Sequence, residues 1–197
     1  MRDTPRAQAL LVVDVQVGWV EGPAAVRDAE RLMKVLEDHI AAARQADALV
    51  VFLQDVGDLD STVPQGSPGR ELALTTEPQD VIVPKEVDDG FVGTGLEASL
   101  REGGVTSIAV AGIQSEMCVA ATSRGALARG FTVILARDAH STHDIPADGD
   151  GAAVPAAQVR RVAEWSLGDD LVVVDRARQV VFESLLPRHD GGGMVGR

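Results

Sequence analysis

The hydrophobic positions of this chain fall into six short, continuous runs that are rich in valine and isoleucine. They lie at residues 10–15 (LLVVDV), 49–53 (LVVFL), 81–83 (VIV), 108–113 (IAVAGI), 131–135 (FTVIL) and 171–174 (LVVV). The runs do not alternate with polar residues, which indicates strands that are buried on both faces, as in a parallel sheet.

The stretches between these runs have the three- and four-residue spacing of amphipathic helices. The first has apolar positions at Val26, Ala29, Leu32, Leu36, Ile40 and Ala43, and further helices are expected at 95–101, 116–129 and 155–167. Six strands alternating with helices predict a doubly wound α/β fold with a mostly parallel, six-stranded sheet. We expect the strand order 3-2-1-4-5-6 and a single domain over residues 1–197, with a flexible tail at about 189–197.

The segment at 54–80 has no clear period and is rich in Gly, Pro, Ser and Asp. A loop of this length in a compact domain is usually functional, so we expect it to form a lid or a pocket wall.

Composition narrows the class of protein and its partners. Only 3% of the 197 residues are aromatic, so the core must be built from Val, Leu, Ala and Ile. One cysteine excludes an intramolecular disulfide, and the first ten residues lack the apolar stretch of a signal peptide, which together predict a cytoplasmic protein. A net charge of -12 opposes binding to nucleic acid, and no apolar run has the length of a membrane span. We therefore expect a small-molecule partner.

Three ionisable residues lie at or just beyond the carboxyl ends of predicted strands. Asp14 ends the first run, Lys85 follows the third, and Cys118 follows the fourth. Ligands of open α/β sheets bind beyond these strand ends, where the strand order reverses. The predicted order therefore brings Asp14, Lys85 and Cys118 into one cleft.

The sequence allows two interpretations of Cys118. Ser115 is a suitable N-cap, which would put Cys118 at about the third position of a helix. The helix N-terminus and the Lys85 ammonium would then favour a thiolate, Asp14 could accept its proton, and nearby backbone N–H groups could hold an oxyanion. A lone cysteine is also commonly a small buried hydrophobe, and spacing alone leaves the choice open.

Four segments in order resemble the isochorismatase-like cysteine hydrolase family. They are DVQ at 14–16 with Trp19, then Lys85 with FVGT at 91–94 and Leu96, then AGIQSEMCV at 111–119, and DAHST at 138–142. The match runs in register from about residue 8 to residue 182 and so covers nearly the whole chain.

The resemblance implies a three-layer α/β/α fold and an Asp14-Lys85-Cys118 triad. Cys118 would attack a carbonyl, typically of an amide, Asp14 would take the thiol proton, and Lys85 would hold both groups in place. The resemblance further implies a cis peptide before Gln114, with the N–H groups of Gln114 and Cys118 as the oxyanion hole, and a homo-oligomer, either a dimer or a tetramer.

We expect Trp19, Phe91, Met117 and His143 to line the substrate pocket. No cofactor is expected, because residues 54–66 lack the histidines of the nicotinamidase metal motif, and His140 with His143 has no obvious third ligand. Asp89, where small residues are common in the family, predicts a more acidic pocket.

Three functions remain open on the sequence. The first is a cysteine hydrolase acting on a small carboxamide or related acyl compound. The alternatives are an isochorismatase-type ether hydrolase, which would not need the thiol, and a non-catalytic small-molecule binder that uses the same pocket. The presence of Cys118 favours the first.

Overall fold

A computed structural model of the protein describes residues 4–57 and 63–185. The predicted flexible tail lies outside these residues, as does part of the irregular segment at 54–80. Among the described residues, no helix combines the length and the apolar character needed to cross a membrane.

The main sheet has six parallel strands in the predicted order 3-2-1-4-5-6, so the predicted fold is confirmed. The strands are β1 (Ala9–Val13), β2 (Leu49–Asp55), β3 (Val81–Lys85), β4 (Ser107–Ile113), β5 (Thr132–Ser141) and β6 (Leu171–Val174). The central strand β1 is buried along its whole length, as its unbroken apolar run predicts. Arg6–Ala7 and Val181–Phe182 form a separate, short parallel pair.

Within residues 4–57 and 63–185, five α-helices connect these strands or flank them. They are α1 (Val17–Val20), α2 (Ala29–Gln45), α3 (Leu96–Glu102), α4 (Ala120–Ala128) and α5 (Ala156–Ser166). Short 3-10 turns lie at Gly22–Ala24, Pro68–Arg70 and Ala177–Gln179. Gly130 and Gly168, just after α4 and α5, adopt the positive φ that the sequence predicts there.

Two hydrophobic cores cover opposite faces of the sheet and make the molecule three-layered. Leu10 and Val12 of β1 face the core that contains the apolar side of α2, and Leu11 and Val13 face the core that contains α3 and part of α4. Successive residues of a strand point to opposite faces, so one continuous apolar run supplies both cores. Because all six strands are parallel, the carboxyl ends of β1, β3 and β4 lie on the same side of the sheet, at the ends of the strands.

Candidate active site

A cavity of about 630 Å³ opens at the carboxyl ends of β1, β3 and β4, and Asp14, Lys85 and Cys118 all line it. β1 and β4 are neighbours in the sheet although their connections leave in opposite directions, so the cavity lies where the strand order reverses. This is the usual ligand position in open α/β sheets, and it brings together the three residues that the sequence places at strand ends.

Asp14 follows β1 directly and has a left-handed backbone, with φ of 50°. Few residues other than Gly, Asn and Asp adopt this conformation at low cost. The Asp14 side chain is buried; Oδ2 lies 2.8 Å from Nζ of Lys85, and Oδ1 has no hydrogen-bond partner among the described residues. Burial raises the pKa of Asp14 from 3.8 to about 6, even though the Lys85 ammonium acts in the opposite direction.

Lys85 is the last residue of β3 and is only 2% exposed. In addition to Asp14, its Nζ donates to the carbonyl oxygen of Val87 at 3.1 Å and to Sγ of Cys118 at 3.4 Å. Burial on its own would lower the pKa of Lys85, but the Asp14 carboxylate and Cys118 outweigh it and hold the pKa above its ordinary value. Lys85 therefore stays an ammonium between the carboxylate and the sulfur.

Cys118 lies in a wide turn at Ser115–Val119, which precedes α4. The N–H of Val119 donates to the carbonyl oxygen of Gln114 at 3.1 Å, a bond that spans five residues. The expectation that Cys118 is the third residue of an α-helix capped by Ser115 is thus wrong. The Ser115 hydroxyl instead pairs with Nδ1 of His140 at 2.8 Å, because His140 is buried beside it at the end of β5.

The expected preference for a resting thiolate is also wrong. Burial raises the pKa of the Cys118 thiol above its ordinary value, and the charge of Asp14 raises it further, against the opposing effect of Lys85. The main physical reason is burial, which disfavours the charged thiolate, and the Asp14 and Asp88 carboxylates add to it because they outnumber the one ammonium near the sulfur. The resting site therefore holds a neutral thiol beside a carboxylate that can accept its proton.

Gln114 and Cys118, the two residues expected to form the oxyanion hole, both line the cavity. The peptide bond between Ile113 and Gln114 is cis in the structure. Just before it, Gly112 has φ of 122°, and a Cβ at this position would lie only 2.2 Å from the carbonyl oxygen of Val13. Only glycine allows this close approach of β4 to β1.

A turn at 86–90 supplies a contact to the thiol that the sequence analysis missed. Sγ of Cys118 lies 3.6 Å from Oδ1 of Asp88. The buried hydroxyl of Thr122 on α4 holds the turn, since it accepts from the N–H of Gly90 at 3.1 Å and donates to the carbonyl oxygen of Asp88 at 3.3 Å. The acidic residues that follow Lys85 directly in the sequence were the available indication of this contact.

Two of the four residues expected in the substrate pocket line the cavity, namely Trp19 and Met117. Phe91 and His143 do not. The Phe91 ring is buried in the core, where it stacks on Phe131 with ring centroids 6.0 Å apart. The turn at 86–90 places the preceding acidic residues, rather than Phe91, against the cavity.

Part of the irregular segment after β2 packs against the same edge of the sheet. The buried side chain of Gln16 donates to the carbonyl oxygens of Asp55 and Arg70 at 3.0 and 2.8 Å, and Arg70 pairs with Oδ2 of Asp55 at 3.0 Å. Asp55 also lines the cavity. These contacts anchor the described part of the segment beside the catalytic candidates.

The described residues contain no group of three or more His, Cys, Asp and Glu side chains arranged to hold a metal ion. His140 is buried between Ser115 and Glu164, whose Oε1 lies 3.6 Å from Nε2. Residues 58–62 belong to the segment at 54–66 that lacks the metal-binding histidines, and they are not among the residues that the structure describes.

Comparison with known proteins settles the family. The family model of the isochorismatase domain, which describes the sequences of that family, matches residues 8–159 of this chain. The chain belongs to the isochorismatase family. The resemblance found in the sequence is thereby confirmed.

Among similar members of the isochorismatase family is a streptothricin hydrolase of Streptomyces noursei, which is 49% identical over 178 residues. The alignment covers 89% of this chain and 71% of that relative. A ureidoacrylate amidohydrolase, RutB of Variovorax paradoxus, is 30% identical, with 83% of this chain and 79% of that protein aligned.

A solved structure gives the same picture of the fold. The cysteine hydrolase of Pseudomonas syringae pv. phaseolicola 1448A has a TM-score of 0.79 and is 26% identical, and the superposition covers 91% of this chain and 92% of that one. The chain is thus a member of a hydrolase family with amidohydrolase-type relatives.

Proposed function

We propose that this protein is a cysteine hydrolase that cleaves a small carboxamide or related acyl compound through a covalent acyl-enzyme on Cys118. The observation that carries the proposal is the contact of Lys85 Nζ with both Sγ of Cys118, at 3.4 Å, and Oδ2 of Asp14, at 2.8 Å, inside one cavity. Neighbouring nucleophile, base and orienting group are the arrangement that covalent catalysis requires.

The first half of the reaction forms the acyl-enzyme. The Cys118 thiol gives its proton to Asp14 as the sulfur attacks the carbonyl carbon, and the C–N bond of the tetrahedral intermediate then breaks. Asp14 returns the proton to the leaving nitrogen, which departs as an amine or ammonia. Lys85 offsets the negative charge on the carboxylate and on the developing thiolate.

The second half releases the acid. Asp14, again a carboxylate, takes a proton from a water that attacks the thioester. The C–S bond then breaks and Asp14 passes this proton to the departing sulfur, which gives a carboxylic acid, the free thiol and the Asp14 carboxylate. In both halves we propose that the backbone N–H groups of Gln114 and Cys118 donate to the negatively charged oxygen of the tetrahedral intermediate. Both residues line the cavity beside the sulfur.

Similarity provides the first candidate substrate. The streptothricin hydrolase relative shares 49% identity over 89% of this chain, so we propose streptothricin, or a compound with a related amide, as the compound to assay first. The name of the amidohydrolase relative supports C–N cleavage as the reaction class.

Trapping the acyl-enzyme tests the mechanism directly. Wild-type protein mixed with streptothricin or a small amide and quenched in acid should carry an acyl mass on the peptide that contains Cys118. Cys118→Ala should carry none, and its turnover should fall at least about a thousandfold, because loss of a nucleophile costs orders of magnitude.

Circular dichroism provides the control for folding of Cys118→Ala. A folded variant that keeps more than about a tenth of wild-type turnover would contradict covalent catalysis on the thiol. It would favour a thiol-independent reaction such as ether hydrolysis instead.

A further inference from the structure

We propose that the substrate of this cavity carries a positive charge close to its reacting carbonyl, and that Asp88, supported by Glu86, binds that charge. The inference rests on the proposed function and names the chemical class of its substrate.

The balance of charges in the cavity is the first observation. Five carboxylates line it, from Asp14, Asp55, Glu86, Asp88 and Asp89, together with one cationic side chain, Lys85. Two of the carboxylates have cationic partners: Asp14 pairs with Lys85, and Asp55 pairs with Arg70. No basic side chain in the described part of the chain forms an ion pair with the other three.

The three remaining carboxylates lie in one turn that is held in place. Lys85 Nζ donates to the carbonyl oxygen of Val87, and Thr122 bonds to the backbone on both sides of Asp89. Oδ1 of Asp89 accepts from the N–H of Phe91 at 2.9 Å, so that group is already partly engaged. Asp88 is exposed, and its only described side-chain contact is the one to Cys118.

A second observation marks the cavity as a ligand site independently of the acidic turn. Asp14 is 4% exposed and lines the cavity, yet its Oδ1 has no hydrogen-bond partner among the described residues. A buried carboxylate oxygen without a partner is costly, and it is kept where the group takes part in catalysis or where a bound molecule completes it. The apolar side chains of Trp19, Ile113 and Met117 form another part of the lining, which suits the uncharged part of a small molecule.

The distances limit where the positive charge lies in the substrate. The carbonyl carbon must approach Sγ to about 3–3.5 Å, and an ammonium or guanidinium bound to Asp88 would lie about 2.8 Å from its oxygen. Since Oδ1 of Asp88 is 3.6 Å from Sγ, the cation must lie within a few bonds of the scissile carbonyl. An amino or guanidino group on the acyl or leaving part of an amide meets this condition.

A bound cation would also assist the chemistry. The carboxylates around Cys118 oppose its ionisation, and a substrate cation on Asp88 would neutralise one of them as the complex forms. The thiol would thus ionise more readily when a substrate of the right charge is present.

Protection of Cys118 from alkylation tests the binding of cations without any need for turnover. Pentylguanidinium, 1-pentanol and pentanoate have similar chains and differ in charge. We expect pentylguanidinium to slow alkylation of wild-type Cys118 by iodoacetamide with at least about tenfold higher apparent affinity than pentanol, and pentanoate to protect least. Asp88→Asn should reduce this preference to within about threefold, whereas Asp169→Asn, an identical charge change at an exposed position, should not change it.

A matched pair of substrates extends the test to catalysis. β-Alaninamide and butanamide have similar size, and kcat/KM for ammonia release should favour the cationic amide by at least about tenfold in wild type and by much less in Asp88→Asn. Equal protection by pentanol and pentylguanidinium would overturn the cation site, whether or not amides are cleaved. Selective protection without cleavage of any amide would instead support the cation site and overturn the proposed hydrolase function.

Discussion

At the scale of single residues, Asp14 has the role that depends most on its surroundings. It lies at a left-handed turn, keeps one oxygen on Lys85 and leaves the other without a partner among the described residues. Burial raises its pKa to about 6, which is close to the pH at which a general base works best. The carboxylate is therefore ionised at neutral pH and still basic enough to take a proton from Cys118.

This pKa predicts the acid limb of the activity profile. As pH falls through about 6, Asp14 becomes protonated and can no longer accept the thiol proton, so kcat/KM should fall about tenfold per pH unit below that value. Asp14→Asn should remove most activity at all pH values, because Asn tolerates the same backbone conformation but does not accept the proton. Asp47→Asn, at an exposed left-handed position, is the matched control. A profile that stays flat down to pH 4.5 would contradict this role of Asp14.

Lys85 should control the reactivity of the thiol. Lys85→Met removes the only cation near Sγ among the described residues that line the cavity, so the pKa of Cys118 should rise further and alkylation by iodoacetamide should shift to higher pH. Lys34→Met makes the same substitution at the other, exposed lysine and should leave the alkylation profile in place. An unchanged profile in folded Lys85→Met would show that the ammonium does not act on the sulfur.

At the scale of elements, the hydroxyl of Thr122 joins α4, which follows the nucleophile turn, to the acidic turn that follows β3. Thr122→Val keeps the side-chain shape but leaves the buried N–H of Gly90 and the carbonyl of Asp88 without this partner. We expect the free energy of unfolding to fall by about 1–3 kcal/mol and KM to rise, because the turn that holds Asp88 loosens.

Thr122→Ser is the matched variant for this prediction. It keeps the hydroxyl and should restore KM, although the lost methyl group still lowers stability slightly. If Thr122→Val and Thr122→Ser have the same KM, the hydroxyl does not position the turn.

At the scale of the whole molecule, two buried histidines connect stability to pH. Burial lowers the pKa of His39 to about 4 and, with nearby arginines, that of His140 to about 3. Both therefore stay neutral in the folded state while the unfolded chain takes up protons below about pH 6.5. Their contribution to stability is complete above that value and is lost as pH falls toward 4 and 3. Asp14, whose pKa is raised, offsets part of this loss between about pH 6 and 4.

Urea unfolding at a series of pH values from 7 to 4 measures this linkage. The free energy of unfolding of wild type should decline below pH 6.5, with a contribution of up to about 1.4 kcal/mol per pH unit from each histidine. In His39→Leu the free energy of unfolding should decline less steeply with falling pH, by the uptake of about one proton. Parallel curves for wild type and His39→Leu would contradict the neutral buried state of His39.

Three expectations at this scale stay predictions, namely a single domain over the whole chain, a cytoplasmic location and assembly into dimers or tetramers. They rest on composition and on the family resemblance, and the contacts within one chain do not bear on them.

The pattern of residues along the chain was sufficient to predict the sheet and to single out Asp14, Lys85 and Cys118. Six apolar runs without alternation, separated by helical stretches, favour a parallel sheet, and 3-2-1-4-5-6 is a common strand order of doubly wound folds. Asp14 and Lys85 lie at strand ends on the same side of the sheet, so the topology places them near one cleft, although β2 lies between their strands. Local pattern was sufficient wherever the period of hydrophobic residues fixed the element.

The protonation state of the Cys118 thiol and the residues that line its cavity could not be predicted from local pattern. The pKa of Cys118 depends on burial and on charges from two other strand ends, those of β1 and β3. The Ser115 hydroxyl in the turn at Ser115–Val119 pairs with His140 on the neighbouring strand β5. The prediction that Phe91 lines the pocket was wrong and the contact of Asp88 was not predicted, because the turn after β3 has no hydrophobic period and is oriented by Thr122, which lies 32 positions from Gly90. The net charge of a cavity and the direction of its side chains both depend on residues that are distant in sequence. These residues come together only when the chain folds.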